Sequence, residues 1–537
     1  ANHGGMKAFP LPGPRLVADA TAPVSNLVGV LTYYGDSWEL LYDLANPPVI
    51  GAATASAVSD AGNNDITVAG FNLERFFDNV NDPSIGEPVL TTTAFNNRLA
   101  KTGAAICDWV KSPDILGVVE VENISTLTSL ADYTITRTRA RAPQSGPYLQ
   151  EGNDVGGIDV GFLISSRTVR TGISRVDVTS VTQVGKDTRY GTSPLGCTPN
   201  APGCTSSLLN DRPSLVLRAA VNFTDGRHYP LTVIANHLRS LNGNDDPVDS
   251  RVRYKRAEQA MFLANVVNDM QIANPAEKIV LVGDFNAFPF NDGYVDSMGI
   301  ISGHAAPESQ VIEYRASPVV TPLVLGDALT ADPMQRYSYV FGGNAQTLDH
   351  AVVNQSLIND PAVTGLSVEH ARINSNFRVA HYGEFNPPYT AGNPALRVSD
   401  PDPVRLSIGV ARPASADLTQ AWTVRQMSLQ GAFTTLTLRN GGSSDLNGVQ
   451  VWIDMDIPVP SVGGVAGGAG WTCDRMSVSS FVCTSTKAVR AGSIHTFNVT
   501  VKPQRSFKPT DVLRFSAKSS VLTDPISGDN TSVLTLP

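Results

Sequence analysis

Charge is scarce in this sequence. Of 537 residues, 17% are Asp, Glu, Lys or Arg, against about 25% in ordinary soluble domains. Acidic residues outnumber basic ones by 49 to 40, a formal net charge of −9. That balance excludes a protein that coats nucleic acid through its overall field, yet leaves room for a local basic or metal-lined cleft. Long apolar runs are missing too, and no segment approaches the ~20 residues of a membrane-spanning helix. Internal repeats are absent, and the one low-complexity tract is the Gly-rich stretch at 463–470. No signal peptide is visible at Ala1, as expected of a mature start left by processing.

Cysteine is limited to five residues. Cys197 and Cys204 lie in a Gly/Pro/Ser-rich loop, and Cys473 and Cys483 in a hairpin pattern. Two short-range pairs read as disulfides and imply an oxidising compartment, so a secreted or cell-surface location is expected. No Cys-x-x-Cys spacing occurs, which argues against zinc. Cys107 falls in an apolar helical pattern and reads as a buried thiol.

The chain is too long for one core, so several domains are expected. Residues 1–64 are Pro-, Ala- and Ser-rich, with a strand pair over 26–34 and 37–44, and read as an N-terminal β-segment and linker. Residues 65–410 alternate strands with a few amphipathic helices (94–109 and 252–270), the pattern of an α+β domain with two packed sheets. A linker at 411–416 precedes residues 417–537. There, short alternating strands at regular spacing, with no helical period, predict an immunoglobulin-like β-sandwich.

The most informative stretch is 278–289, Lys-Ile-Val-Leu-Val-Gly-Asp-Phe-Asn-Ala-Phe-Pro. A β-branched run ends at Gly283 and delivers Asp284 and Asn286 to a strand terminus, where alternation predicts that both face one way. Other strands end in the same manner. Phe71-Asn72-Leu73-Glu74 closes one, Glu120 and Glu122 close a second, and Asn236-His237-Leu238-Arg239 closes a third. Leu348-Asp349-His350 opens a strand, and Ser399-Asp400-Pro401-Asp402-Pro403-Val404 precedes another.

In this order and spacing, the motifs resemble the endonuclease/exonuclease/phosphatase superfamily, the pancreatic-deoxyribonuclease-like fold. Gly283-Asp284-Phe285-Asn286-Ala287 is their most specific piece. Tyr337-Ser-Tyr-Val-Phe-Gly-Gly and Asn210-Asp211-Arg212-Pro213 resemble the secreted bacterial nuclease branch. The resemblance implies a four-layer αββα sandwich and a secreted, divalent-metal-dependent phosphodiester hydrolase, an extracellular nuclease acting on nucleic acid with Mg2+ (or Mn2+/Ca2+). It implies that Glu120 holds the metal with Asn72 and Asp400. Asp284 then orients or deprotonates water, Asn286 donates to the phosphate, and His237 contacts the phosphate or acts as acid. Arg212 and Arg239 are candidate substrate contacts, and Asp349 is expected to orient a second histidine.

That histidine is missing. The family pattern is Ser-Asp-His-Asp-Pro-Val, and Pro401 stands where the imidazole belongs. Proline can neither titrate near neutrality nor donate a hydrogen bond. Either His350 or His381 supplies an imidazole and activity survives, or the domain is a degenerate scaffold serving cell-surface or matrix binding. A phosphatase or lipid-headgroup phosphodiesterase is the other enzyme alternative. Two basic clusters are further contact candidates: Arg137, Arg139 and Arg141 on a strand or loop, and Arg251, Arg253, Lys255 and Arg256 at a helix start. The C-terminal domain is expected to serve attachment or partner contact.

Overall fold

The computed structural model describes residues 5–9, 15–34, 37–137, 144–190, 208–377, 396–411, 417–520 (except 443, 458 and 509) and 531–536. The chain divides into two compact units, Ala1–Ala411 and Arg412–Pro537.

The first unit is built on two six-stranded sheets. One has the order Val363–His370, Val404–Val410, Asp65–Phe76, Ile115–Val121, Asp159–Ser165, Gln144–Leu149. The other runs Val176–Gln183, Leu215–Asn222, His228–His237, Ile279–Asp284, Asp349–Val353, Val324–Leu325. Their facing sides share one apolar core, with Val68, Val119, Phe162 and Leu406 from one sheet against Leu217, Val233, Val282 and Val353 from the other. The central strands are buried on both faces, which is why they read as continuous apolar runs. The sheets come close at Gly70, where a Cβ would stand 2.8 Å from the amide nitrogen of Gly283. Only glycine permits that approach.

Helices cover both outer faces and complete four layers. Thr92–Ala104, continued as a π-helical segment Ala105–Trp109, and Ile124–Arg137 lie on the first sheet through Phe95, Leu99, Ile106, Leu127 and Leu130. The Thr91 hydroxyl caps the first of these helices by accepting from the Ala94 amide, filling one of its open donors. Arg251–Ala273 and Ser297–Ser302 cover the second sheet through Ala260, Leu263, Met298 and Ile301.

Two expectations need correction here. Residues 124–137 form a helix although Ser, Thr and Ile make it a weak intrinsic helix former; Leu127, Leu130, Ala131 and Thr134 bury one stripe, and packing decides. Arg137 therefore ends a helix instead of sitting on a strand, and Arg139 and Arg141 lie outside the described residues. The N-terminal segment is more than a strand pair: Gly5–Phe9, Arg15–Val17, Gly29–Tyr34 and Ser37–Asp43 form a four-stranded sheet.

The second unit is all β, with sheets of four and five strands. Leu436, Phe497 and Val499 from the first sheet pack with Val451, Ile453 and Phe515 from the second. Cys473 and Cys483 face each other across a hairpin and form a disulfide, with Cα atoms 4.0 Å apart. Cys197 and Cys204 lie outside the described residues. Cys107 is a buried thiol.

Candidate active site

The site forms where strand ends of the two sheets meet. In the second sheet, three neighbouring strands align His237, Asp284 and Asp349 on one rung. Gly283 makes that rung attainable. Its φ is 131°, and a Cβ there would fall 2.1 Å from the Asn236 carbonyl oxygen. From the first sheet come Asn72 and Glu120. The Asn72 side-chain amide donates to Glu120 Oε1 (3.0 Å) and to Asp284 Oδ2 (3.1 Å), tying the two sheets together through one carboxamide. His237 Nε2 lies 3.7 Å from Glu120 Oε1. Donor atoms of Glu120, His237 and Asp284 all fall within 4.8 Å of one another.

Left-handed backbone at non-glycine residues aims these groups. Glu120 has φ 63°, and its Oε2 accepts from the Arg75 amide at 2.9 Å. Glu74 and Arg75, at φ 49° and 55°, form an irregularity in the strand Asp65–Phe76. Such conformations cost about 1–3 kcal/mol each and persist where the surroundings impose them. Here the constraint is Arg98, 2% exposed, whose guanidinium donates to the carbonyls of Leu73, Glu74 and Arg75. Sequence reasoning missed Arg98; an arginine on the same helical stripe as Phe95, Leu99 and Ile106 was the available signal.

Asn286 also departs from simple alternation. The strand stops at Asp284, and Asn286 sits at φ 47° with its amide donating to Asp284 Oδ1 at 2.7 Å. A tight Asx turn, not an extended backbone, brings both residues to one cleft. Asn286 Nδ2 is anchored on the Leu238 carbonyl at 3.2 Å.

The cleft measures about 670 Å³, and Asp284, Asn286, Asp349, Asp400 and Pro401 line it. The remaining candidates stand differently. Arg212 is buried, donating to Asp154 and to the Leu238 carbonyl, both at 3.0 Å. It is a fixed charge beside the site. Arg239 lines a separate cavity of about 140 Å³ with Tyr190, Asp211, Arg251 and Lys255. Arg256 is structural, holding the carbonyls of Arg239 and Asn286.

Asp349 is 1% exposed, and among the described residues no cationic side chain or imidazole bonds its carboxyl group. Burial, then the charge of Asp284, holds its pKa well above the ordinary range; the nearby Ser338 hydroxyl, which accepts from the Leu348 and Asp349 amides and keeps its own proton to donate, opposes this. Of the two sequence-predicted imidazoles, His350 does not relieve it. His350 faces the other way, bonding the Ala287 carbonyl at 2.8 Å and meeting Phe285 edge-on. His381 lies outside the described residues. His370 approaches the Asp349 main chain without a hydrogen bond to its carboxylate.

The sequence profile of the Endonuclease/Exonuclease/phosphatase family matches residues 70–400, more than half of the chain. The chain belongs to this family. Among solved structures, TDP2 from Caenorhabditis elegans has 12% sequence identity and a TM-score of 0.36, covering 66% of this chain and 77% of that one. An endonuclease/exonuclease/phosphatase family protein from Bacteroides thetaiotaomicron has 14% identity and a TM-score of 0.34, covering 65% and 98%. No curated protein matches the chain.

Family members use divalent metals, and the donor set fits one. Two carboxylates beside an imidazole make a hard oxygen-nitrogen set. Burial, then Arg212, lowers the His237 pKa well below its usual value, so the ring is neutral and has a lone pair to give. Burial, then the charge of Asp400, raises Glu120 to about 7. Asp284 is raised to about 6, by burial first. In both cases the folded pKa exceeds the unfolded one. These groups therefore stabilise the fold below about pH 4 and lose that contribution as pH rises through 6–7. A cation that replaces the protons reverses the loss. The rise in Tm on adding Mn2+ to EDTA-treated protein is accordingly expected to be larger at pH 8 than at pH 5. A Tm shift independent of pH, read by differential scanning fluorimetry, contradicts this.

Proposed function

We propose that the chain is a secreted, divalent-metal-dependent phosphodiester hydrolase, an extracellular nuclease that retains activity despite Pro401. The observation that carries this reading is the convergence of Glu120, His237 and Asp284 within 4.8 Å, bridged by Asn72 at the rim of a cleft.

Glu120, His237 and Asp284 would hold the cation, and Asp400, which lines the same cleft, adds negative charge beside it. A bound Mg2+ or Mn2+ supplies charge stabilisation to the phosphoryl and leaving oxygens. Asp284 would also orient the attacking water beside the cation and take up its proton. Its orientation is fixed by the Asn286 amide and by Asn72. Asn286 spends one side-chain N–H on the Leu238 carbonyl and keeps a second for a phosphate oxygen. Arg212 contributes a fixed positive charge from behind. The two-sheet C-terminal unit offers no comparable cluster of metal-ligating groups among the described residues, and we assign it an attachment role, as an immunoglobulin-like module would have.

The test is cleavage of a labelled oligonucleotide by the full chain. Hydrolysis in Mg2+ or Mn2+ that EDTA stops supports the reading. Tight oligonucleotide binding with no hydrolysis in either metal favours the degenerate-scaffold alternative instead.

A further inference from the structure

We propose that the aromatic wall of the cleft is a stacking subsite for one unpaired nucleobase, which makes single-stranded nucleic acid the substrate class. The inference rests on the phosphodiesterase reading above and specifies what that site accepts.

The cleft has two unlike sides. Asp284, Asn286 and Asp349 form the polar end, while Phe288, Tyr339 and Phe341 line it beyond them. The aromatic groups come from two elements. Phe288 follows the strand Ile279–Asp284 and stacks on Phe290, with centroids 5.5 Å apart and planes 17° apart. Tyr339 and Phe341 lie on the short hairpin Tyr339–Phe341 and Asn344–Gln346, stacked at 6.3 Å and 16°. Tyr339 and Phe341 fall in the 337–343 stretch and have no part in the hydrolytic chemistry above. Phe341 is 52% exposed. Large rings left in water beside a polar site mark a surface for an apolar or aromatic ligand.

Charge narrows the ligand. Among the described residues, the ionisable acids lining the cleft are all aspartates, at positions 245, 284, 292, 349 and 400, and burial keeps Asp349 in its neutral form. No described Lys, Arg or His lines it, and Arg239, Arg251 and Lys255 belong to the separate cavity. Beyond the one phosphate that a cation neutralises, this lining repels a second phosphate. A nucleobase is uncharged and presents two π faces. Burial and the charge of Asp400 push the Tyr339 hydroxyl up to about 12, so that ring also stays neutral. A cleft of about 670 Å³ is of the size that holds a nucleotide.

Stacking availability separates single strands from duplex. In a duplex every internal base already has both faces covered, so presenting one requires extrusion against pairing and stacking. A single strand offers its bases with far less penalty, and aromatic side chains take any base because each has a π face.

The experiment uses the full chain and a short single-stranded oligodeoxynucleotide with non-hydrolysable linkages and one 2-aminopurine. Its binding and fluorescence are compared with those of the same strand in a duplex. The single strand is expected to bind at least about 10-fold more tightly, with quenching of 2-aminopurine. Phe341→Ala should weaken single-strand binding by about 10-fold, and Phe341→Trp should restore it. Equal or tighter binding of duplex, or unchanged affinity and quenching in Phe341→Ala, overturns the inference. The readout is binding, so the two readings fail separately. A chain that quenches and discriminates but never cleaves removes the hydrolase and keeps the subsite. One that cleaves duplex as readily as single strands does the reverse.

Discussion

Asp284→Ala is expected to lower metal-dependent phosphodiester cleavage by about 10³-fold or more, the scale seen when one member of a cooperative catalytic set is removed. Three things are lost together: a donor for the cation, the acceptor that orients water, and the anchor for Asn72 and the Asn286 amide. The fold should not suffer in proportion. Asp284 is buried and pushed up to about 6 by that burial, so its charged form is held at a cost to the native state. Above pH 6 and without metal, the variant's Tm should equal or exceed the parent's. Rates above one tenth of the parent's would remove Asp284 from the chemistry. A collapse of Tm would mean that the rate loss reports unfolding. The site trades stability for chemistry, and substitution should expose both sides of that trade.

Asp402→Ala should act on stability instead, by about 3–5 kcal/mol. Asp402 is fully buried and accepts from the amides of Ile373, Asn374 and Ser375, from the Ser375 hydroxyl, and from Arg372 at 3.0 Å. Removing the carboxylate takes the counter-charge from a guanidinium that is itself 2% exposed and leaves the Asn374 and Ser375 amides without their acceptor. It also frees the segment that carries Asp400 and Pro401 into the cleft. Denaturant unfolding measures this directly, and a loss below about 1 kcal/mol contradicts the keystone role. Asp402→Asn, which can still accept, should recover part of the loss.

The strand termini were legible in the sequence because each couples an apolar run to a polar end. The run at 278–289 ends at Gly283 for a reason visible in the structure: a Cβ there would collide with the Asn236 carbonyl. The structure then sets His237, Asp284 and Asp349 at matching ends of adjacent strands, a pairing order that the strand-end motifs do not themselves give. What escaped was local backbone geometry. Alternation placed Asp284 and Asn286 on one face, whereas a left-handed turn at Asn286 brings them together. The same limit hid the Glu74 and Arg75 irregularity, which depends on an arginine more than twenty positions away, Arg98. The structural role of Asp402 was not legible because its partners lie some thirty positions earlier, where no periodic signal marks them. Helix 124–137 was obscured by its β-branched composition, and only its buried stripe reveals it.

Pro401 is where sequence and structure bear on one question. The buried Asp349 carboxyl group shares the cleft with it, and among the described residues no imidazole bonds that group. The most direct measurement is therefore the single-turnover rate of Mn2+-dependent cleavage of a single-stranded oligonucleotide by the parent and by Pro401→His, side by side. The account predicts that the parent cleaves, that EDTA stops it, and that Pro401→His is faster. A silent parent beside an active Pro401→His would contradict it and make this domain a degenerate scaffold.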